Sequence, residues 1–122
     1  LTFRNLHNWL ARDTMKATML EAYDALKPGG HFGVVEHRAP EGSSMEYMTT
    51  SGYVSQSLAI EVAESVGFTL VETSEINANS KDTKDHPKGV WTLPPSYRLK
   101  DENRSKYEAM GESDRMTLLF IK

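Results

Sequence analysis

The stretch Leu26 to His37, LKPGGHFGVVEH, constrains this chain more than any other. It joins a helix end to a hard stop and then to a strand. Pro28 cannot continue a helical hydrogen-bond ladder, and the glycines after it accept the left-handed conformation that a chain reversal needs. Phe32-Gly33-Val34-Val35 is then apolar on both faces, the pattern of an interior parallel strand covered by helices above and below. Upstream, Asp13 is read as the N-cap of a helix whose apolar positions Met15, Met19, Tyr23 and Leu26 recur at spacings of three and four.

The same unit repeats downstream. Residues 39 to 52 read as a loop by composition. A helix is expected from about Tyr53, with Val54, Leu58, Val62 and Val66 four apart, Ala59 and Ala63 alongside, and Gly67 as its stop. Phe68 to Glu72 reads as a strand. From Asn77 to Ser113 the chain is polar and irregular, apart from a short solvated helix expected in DENRSKYE, and loops of that length tend to be functional or disordered. Arg115 to Ile121 is a closing strand. The order of strand end, helix, strand, helix, strand, excursion and strand implies one α/β domain over residues 1–122, with a largely parallel sheet. Ligands of open α/β sheets bind beyond the carboxyl ends of the strands. That rule directs attention to Arg4–Trp9, Glu36–Pro40 and the start of the excursion.

Composition removes several function classes. The 14 Lys and Arg are scattered among 17 Asp and Glu, for a formal net charge of −3, which disfavours a nucleic-acid partner. With no cysteine in the chain, a disulfide, a thiolate metal site and a Cys nucleophile are excluded, and a cytoplasmic setting is expected. The apolar runs are too short to span a bilayer, so no membrane partner is expected. The start at Leu1-Thr2-Phe3 reads as a chain cut inside a strand, or as a processed terminus.

Taken in order, the helix end LKPGG, the strand HFGVVEH, the helix end SVGF, the strand TLVET and the final strand in DRMTLLFIK resemble the C-terminal half of a class I S-adenosylmethionine-dependent methyltransferase; more narrowly, FRNLHNW, VVEHRA and NANSKDTKD followed by SDRMTLLF resemble a group of predicted bacterial methyltransferases. The resemblance covers nearly the whole chain. It implies a Rossmann-like α/β sheet in which Leu1–Phe3 ends the fourth strand, Phe32–Glu36 is the fifth, Phe68–Thr73 the sixth, and Arg115–Ile121 the seventh and antiparallel one. It also implies methyl transfer from S-adenosylmethionine to a small-molecule acceptor. These 122 residues carry neither the glycine-rich loop nor the acidic ribose ligand with which that family holds its cofactor. The cofactor-binding N-terminal half is therefore expected to be absent, and this chain to be inactive alone.

Methyl transfer needs a positioned acceptor and, for a hydroxyl or amine, a base for its proton. By the resemblance, His7 and Asn5 face the methyl group, with His7 as base and Asn5 orienting the acceptor, while Arg4 and Trp9 lie on the cofactor side. The same turn also reads as a helix cap with Leu6 and Trp9 packed inward. His37, ending the next strand, is expected to face the same crevice, and two such histidines suit acid–base work near neutral pH. They lack a carboxylate at defined spacing, so no metal is expected. Arg38 is a candidate for an anionic acceptor or the cofactor carboxylate, and Asn77 and Asp82 are candidate substrate contacts in a lid. A second reading is a non-catalytic binding or assembly module: the apolar edge at Leu1–Phe3 and Phe32–Glu36, if unpaired, invites self-association into a homo-oligomer.

Overall fold

A computed structural model describes all 122 residues. The elements in chain order are β1 (Thr2–Phe3), α1 (Leu6–Ala11), α2 (Met15–Ala25), β2 (His31–Ala39), α3 (Met45–Ser51), β3 (Val54–Ser55), α4 (Gln56–Ser65), β4 (Thr69–Ser74), a 3₁₀ turn (Gly89–Thr92), α5 (Arg104–Met110) and β5 (Arg115–Ile121). Together they make an α/β domain with a mixed, open five-stranded sheet. The main path runs β1-β2-β5-β4, and β3 pairs with the far end of β2. β1 and β3 run parallel to β2, whereas β5 lies antiparallel to both β2 and β4. The reversed closing strand that the resemblance implies is present, so the sheet is mixed rather than largely parallel.

The LKPGG stop works as its residues dictate. α2 ends at Ala25, Gly29 takes φ +82°, and β2 begins at His31. Alternation along β2 and β5 then sends Phe32, Val34, Met116, Leu118 and Phe120 to one face, where they pack on Met15 and Met19 of α2 and on Ala59 and Ala63 of α4. Burying such side chains is worth about 1.5–3 kcal/mol each. This layer is the core.

Several expectations are corrected. Helices cover one face of β2, not both. The opposite face, with Gly33 and Val35 beside Thr117 and Leu119, lines an open groove of about 380 Å³ bordered by Leu1 and Phe3. Phe32–Glu36 is an edge only in part, since β2 pairs with β5 along its length and, on its other side, with β1 at Val34 and Val35; the outermost strand on that side is β1. Asp13 does not cap α2. It sits at φ +56° in the reversal that follows α1, and Thr14 occupies the cap position.

Residues 39 to 52 contain α3, a helix too short to show a period. Ser44 Oγ caps it by accepting from Tyr47 N at 3.1 Å, and Gly52 ends it. The helix expected from Tyr53 begins instead at Gln56. Tyr53 and Val54 are fully buried, Val54 and Ser55 extend alongside Arg38 and Ala39, and Ser55 Oγ caps the helix through Leu58 N. Its row of valines and leucine flanks the core, while Ala59 and Ala63, both at 0% exposure, face it and let the helix lie close to the sheet. No helix is long and apolar enough to cross a membrane.

Candidate functional site

The carboxyl ends of β1 and β2 open into a crevice of about 250 Å³ whose lining includes Arg4, His7, His37, Trp91, Pro95 and Arg115. What lies buried behind it follows from the pleat of β2. Phe32, Val34 and Glu36 share the core face, so the apolar strand carries a carboxyl group into a position with 0% exposure. A buried carboxyl must find donors. Glu36 finds three: its Oε2 accepts from His7 N at 2.7 Å, its Oε1 from His37 N at 2.8 Å, and both oxygens lie 3.0–3.1 Å from His7 Nδ1.

The third contact orients His7. With Nδ1 donating to the carboxyl group, Nε2 is left with a free lone pair on a residue that lines the crevice, the arrangement of an oriented general base. His37, on the opposite face of β2, brings its ring to 5.4 Å from that of His7, and the Trp91 ring stands edge-on to His7 at 5.8 Å. His37 Nδ1 pairs with Ser113 Oγ. Burial pushes the His37 pKa down to about 3, helped by the neighbouring charges of His7, Arg115 and Arg4 and opposed by Asp82. His37 is thus neutral across the physiological range.

His7, Glu36 and His37 also place one ligand atom each within 4.8 Å of one another, a donor set suited in kind to a divalent cation. The carboxylate that the sequence reading found wanting is Glu36. In this geometry its oxygens are taken up by two main-chain N–H groups and the His7 ring, so a cation would have to displace the bond that orients His7.

The other candidate residues scatter. Arg4 lines the crevice, held at φ +57° with its N–H donating to Val35 O. Asn5 does not join His7: its Nδ2 donates to Thr2 Oγ1 and, with Trp9, it lines a separate groove on the helical side of the sheet, where Trp9 packs against the core. Asn77 lies along β5, donating from Nδ2 to Thr117 Oγ1 at 2.8 Å.

Arg38 and Asp82 belong to a polar knot. Arg38 grips Asp114 through Nε and Nη2, with further bonds to Glu75 and Gln56. Its hydrogen bonds to Asp114 and then Glu75 hold its pKa above the usual guanidinium value. Asp82, 6% exposed, accepts from Tyr53 Oη at 2.8 Å, from Asp114 N at 2.9 Å and from Lys84 N at 2.9 Å, and pairs with His86 Nε2 at 2.8 Å. Burial raises its pKa, but these bonds outweigh that and hold it below the ordinary value. Asp114 is held at about 2: burial opposes, while Arg38, Lys84 and the Asn79 N–H prevail.

The knot therefore pins both ends of the long excursion to β2 and β5, and Val90 to Ser96 between them form one wall of the crevice. The excursion is a packed wall: Thr92 and Leu93 are at 0% exposure. Sequence reasoning missed Glu36, Trp91 and Arg115. The signals were the period-two match of Glu36 to Phe32 and Val34, and the apolar run Val90-Trp91-Thr92-Leu93 within a polar segment. Comparison of the chain with family models, curated proteins and solved structures finds no match.

Proposed function

We propose that this chain forms the acceptor side of a class I S-adenosylmethionine-dependent methyltransferase acting on a small molecule. The observation that carries the reading is the His7–Glu36 pair at the carboxyl ends of adjacent strands, with a bare ring nitrogen turned to a crevice that contains no acid. The parallel strands closed by an antiparallel β5 suit the C-terminal half of the family's Rossmann-like sheet.

The crevice alone does not hold the cofactor. The crevice is smaller than the roughly 300–1,000 Å³ of pockets that take a drug-sized ligand, and no carboxylate lines it to accept from ribose hydroxyls. The reading therefore needs cofactor contacts beyond those of the crevice. When bound, the cofactor supplies an electrophilic methyl group on sulfonium. His7 supplies the complementary function: Nε2 takes the proton of the acceptor's hydroxyl or amine, and Glu36 keeps Nδ1 protonated and the ring in place. Trp91, Pro94 and Pro95 exclude water from one side.

The test is transfer of labelled methyl from S-adenosylmethionine to small phenols and amines by the polypeptide of the complete reading frame. His7→Gln should lower turnover by about 10²–10⁴ with little change in cofactor affinity. Unchanged turnover would remove His7 as the base.

One observation favours a second reading. The helix-free sheet face is apolar, with Leu1 91% and Phe3 55% exposed at its border. A non-catalytic assembly module would self-associate through this face and edge. It would appear as a dimer in light scattering whether or not a cofactor binds, and a monomer would exclude it.

A further inference from the structure

We propose that Arg4 and Arg115 form an anion subsite in the crevice, which holds a carboxylate or phosphate group of the acceptor beside His7. The inference rests on the reading above for the word acceptor, but the subsite itself stands on the side chains. The formal charge of the chain is −3, yet its crevice is lined by two arginines and two histidines with no acidic residue among them.

The two arginines are uncommitted, unlike Arg38 with its two carboxylates. Arg4 makes no ion pair and no side-chain hydrogen bond within the chain. Arg115, its side chain 15% exposed, has one ionic partner, Glu112, at 3.3 Å and 54% exposed, a pair that solvent weakens. Arg115 Nε is the one buried side-chain nitrogen or oxygen in the molecule without a hydrogen-bond partner. A buried donor left without a partner is costly, so it needs a reason. No bond of its own fixes that end of the guanidinium, and an oxyanion in the crevice would draw the head toward it, because a guanidinium binds carboxylate and phosphate through paired N–H groups.

The register of the sheet explains why Arg115 is there. His37 and Arg115 are cross-strand partners of β2 and β5, so both project to the same face of the sheet, and both line the crevice with Trp91. The apolar wall of Val90, Trp91, Pro94 and Pro95 gives the body of the ligand a surface opposite the charges. The chemistry selected is a small anion with a flat apolar body, its charged end on the arginines and its nucleophilic atom toward His7 Nε2.

The experiment titrates the protein with benzoate, its neutral isostere benzamide, and inorganic phosphate, following the His7 and His37 ring resonances by NMR without any methyl donor. Saturable shifts with benzoate or phosphate, and binding of benzamide at least about tenfold weaker, are expected. The stronger of the two anions identifies the group recognised. Arg115→Gln and Arg4→Gln should each weaken anion binding about tenfold, whereas Arg12→Gln, outside the crevice, should not. Arg4 is exposed, so Arg4→Gln decides the matter if Arg115→Gln fails to fold. Equal binding of benzamide and benzoate, unchanged binding in folded Arg4→Gln, or no binding of either anion would overturn the subsite. Because no methyl donor is present, a failure of methyl transfer leaves this result standing, and loss of the subsite with S-adenosylhomocysteine binding intact would reject the subsite alone.

Discussion

Acid should unfold this protein first through His37. The residue is 8% exposed and its pKa is pushed from 6.5 to about 3 in the fold, chiefly by burial and then by the charges of His7, Arg115 and Arg4. The unfolded chain regains the ordinary value and binds a proton that the folded chain refuses. The stabilisation is therefore complete above pH 6.5 and falls as pH drops toward 3, by about 1.4 kcal/mol per pH unit once the unfolded state is fully protonated.

Between pH 7 and pH 5 this amounts to about 2 kcal/mol, a large share of the roughly 5–15 kcal/mol that holds a domain together. Asp114 works in a lower window, since its pKa falls from 3.8 to about 2 and its contribution is lost only below about pH 4. The assay is urea unfolding of the protein and of His37→Gln at pH 7 and pH 5. Whatever contacts the substitution costs are the same at both values, so the stability gap should narrow by about 2 kcal/mol at the lower pH. A gap that stays constant would refute the claim that His37 is held neutral.

Other substitutions test the site's supports. Tyr53→Phe removes a buried hydroxyl from Asp82 and should cost about 1–3 kcal/mol in urea unfolding, with faster hydrogen exchange through the Asp82–Lys88 loop. Glu36→Gln must turn its amide nitrogen toward either His7 N or His37 N, because each carboxyl oxygen faces one of them. A loss of about 1–3 kcal/mol and a changed His7 tautomer in ¹⁵N spectra are expected. Gly89→Ala should cost about 2 kcal/mol or more in thermal unfolding: Gly89 sits at φ +59°, and a Cβ there would collide with the Ser51 main chain.

What the sequence revealed follows from the range of each signal. The LKPGG stop and the apolar strand after it are local, and both stand where their residues place them. Helix starts were less legible, because Ser44 and Ser55 act through one hydroxyl each and the stretches they cap carry no long period. The bare sheet face could not be read at all: Val35 and Leu119 look like core residues in sequence, and only the placement of α2 and α4 on one side shows what they lack.

The site divides in the same way. His7 and His37 converge because β1 and β2 are parallel neighbours, a relation the order of elements already implied. Glu36 was overlooked because an acidic residue at a strand end is ordinarily solvated, and it becomes a buried partner only through the turn that leads His7 back over it. Arg38 and Asp82 looked available because their partners, Asp114 and Tyr53, lie 76 and 29 residues away in sequence. Arg115 reached the crevice through cross-strand register, which single-strand patterns do not contain.

Calorimetric titration of S-adenosylhomocysteine into the polypeptide of the complete reading frame tests the central claim most directly. The account predicts saturable binding, retained in His7→Gln, because His7 serves the acceptor's proton. An absence of binding in the folded, complete polypeptide would contradict a methyltransferase and leave an assembly module built on the open sheet face.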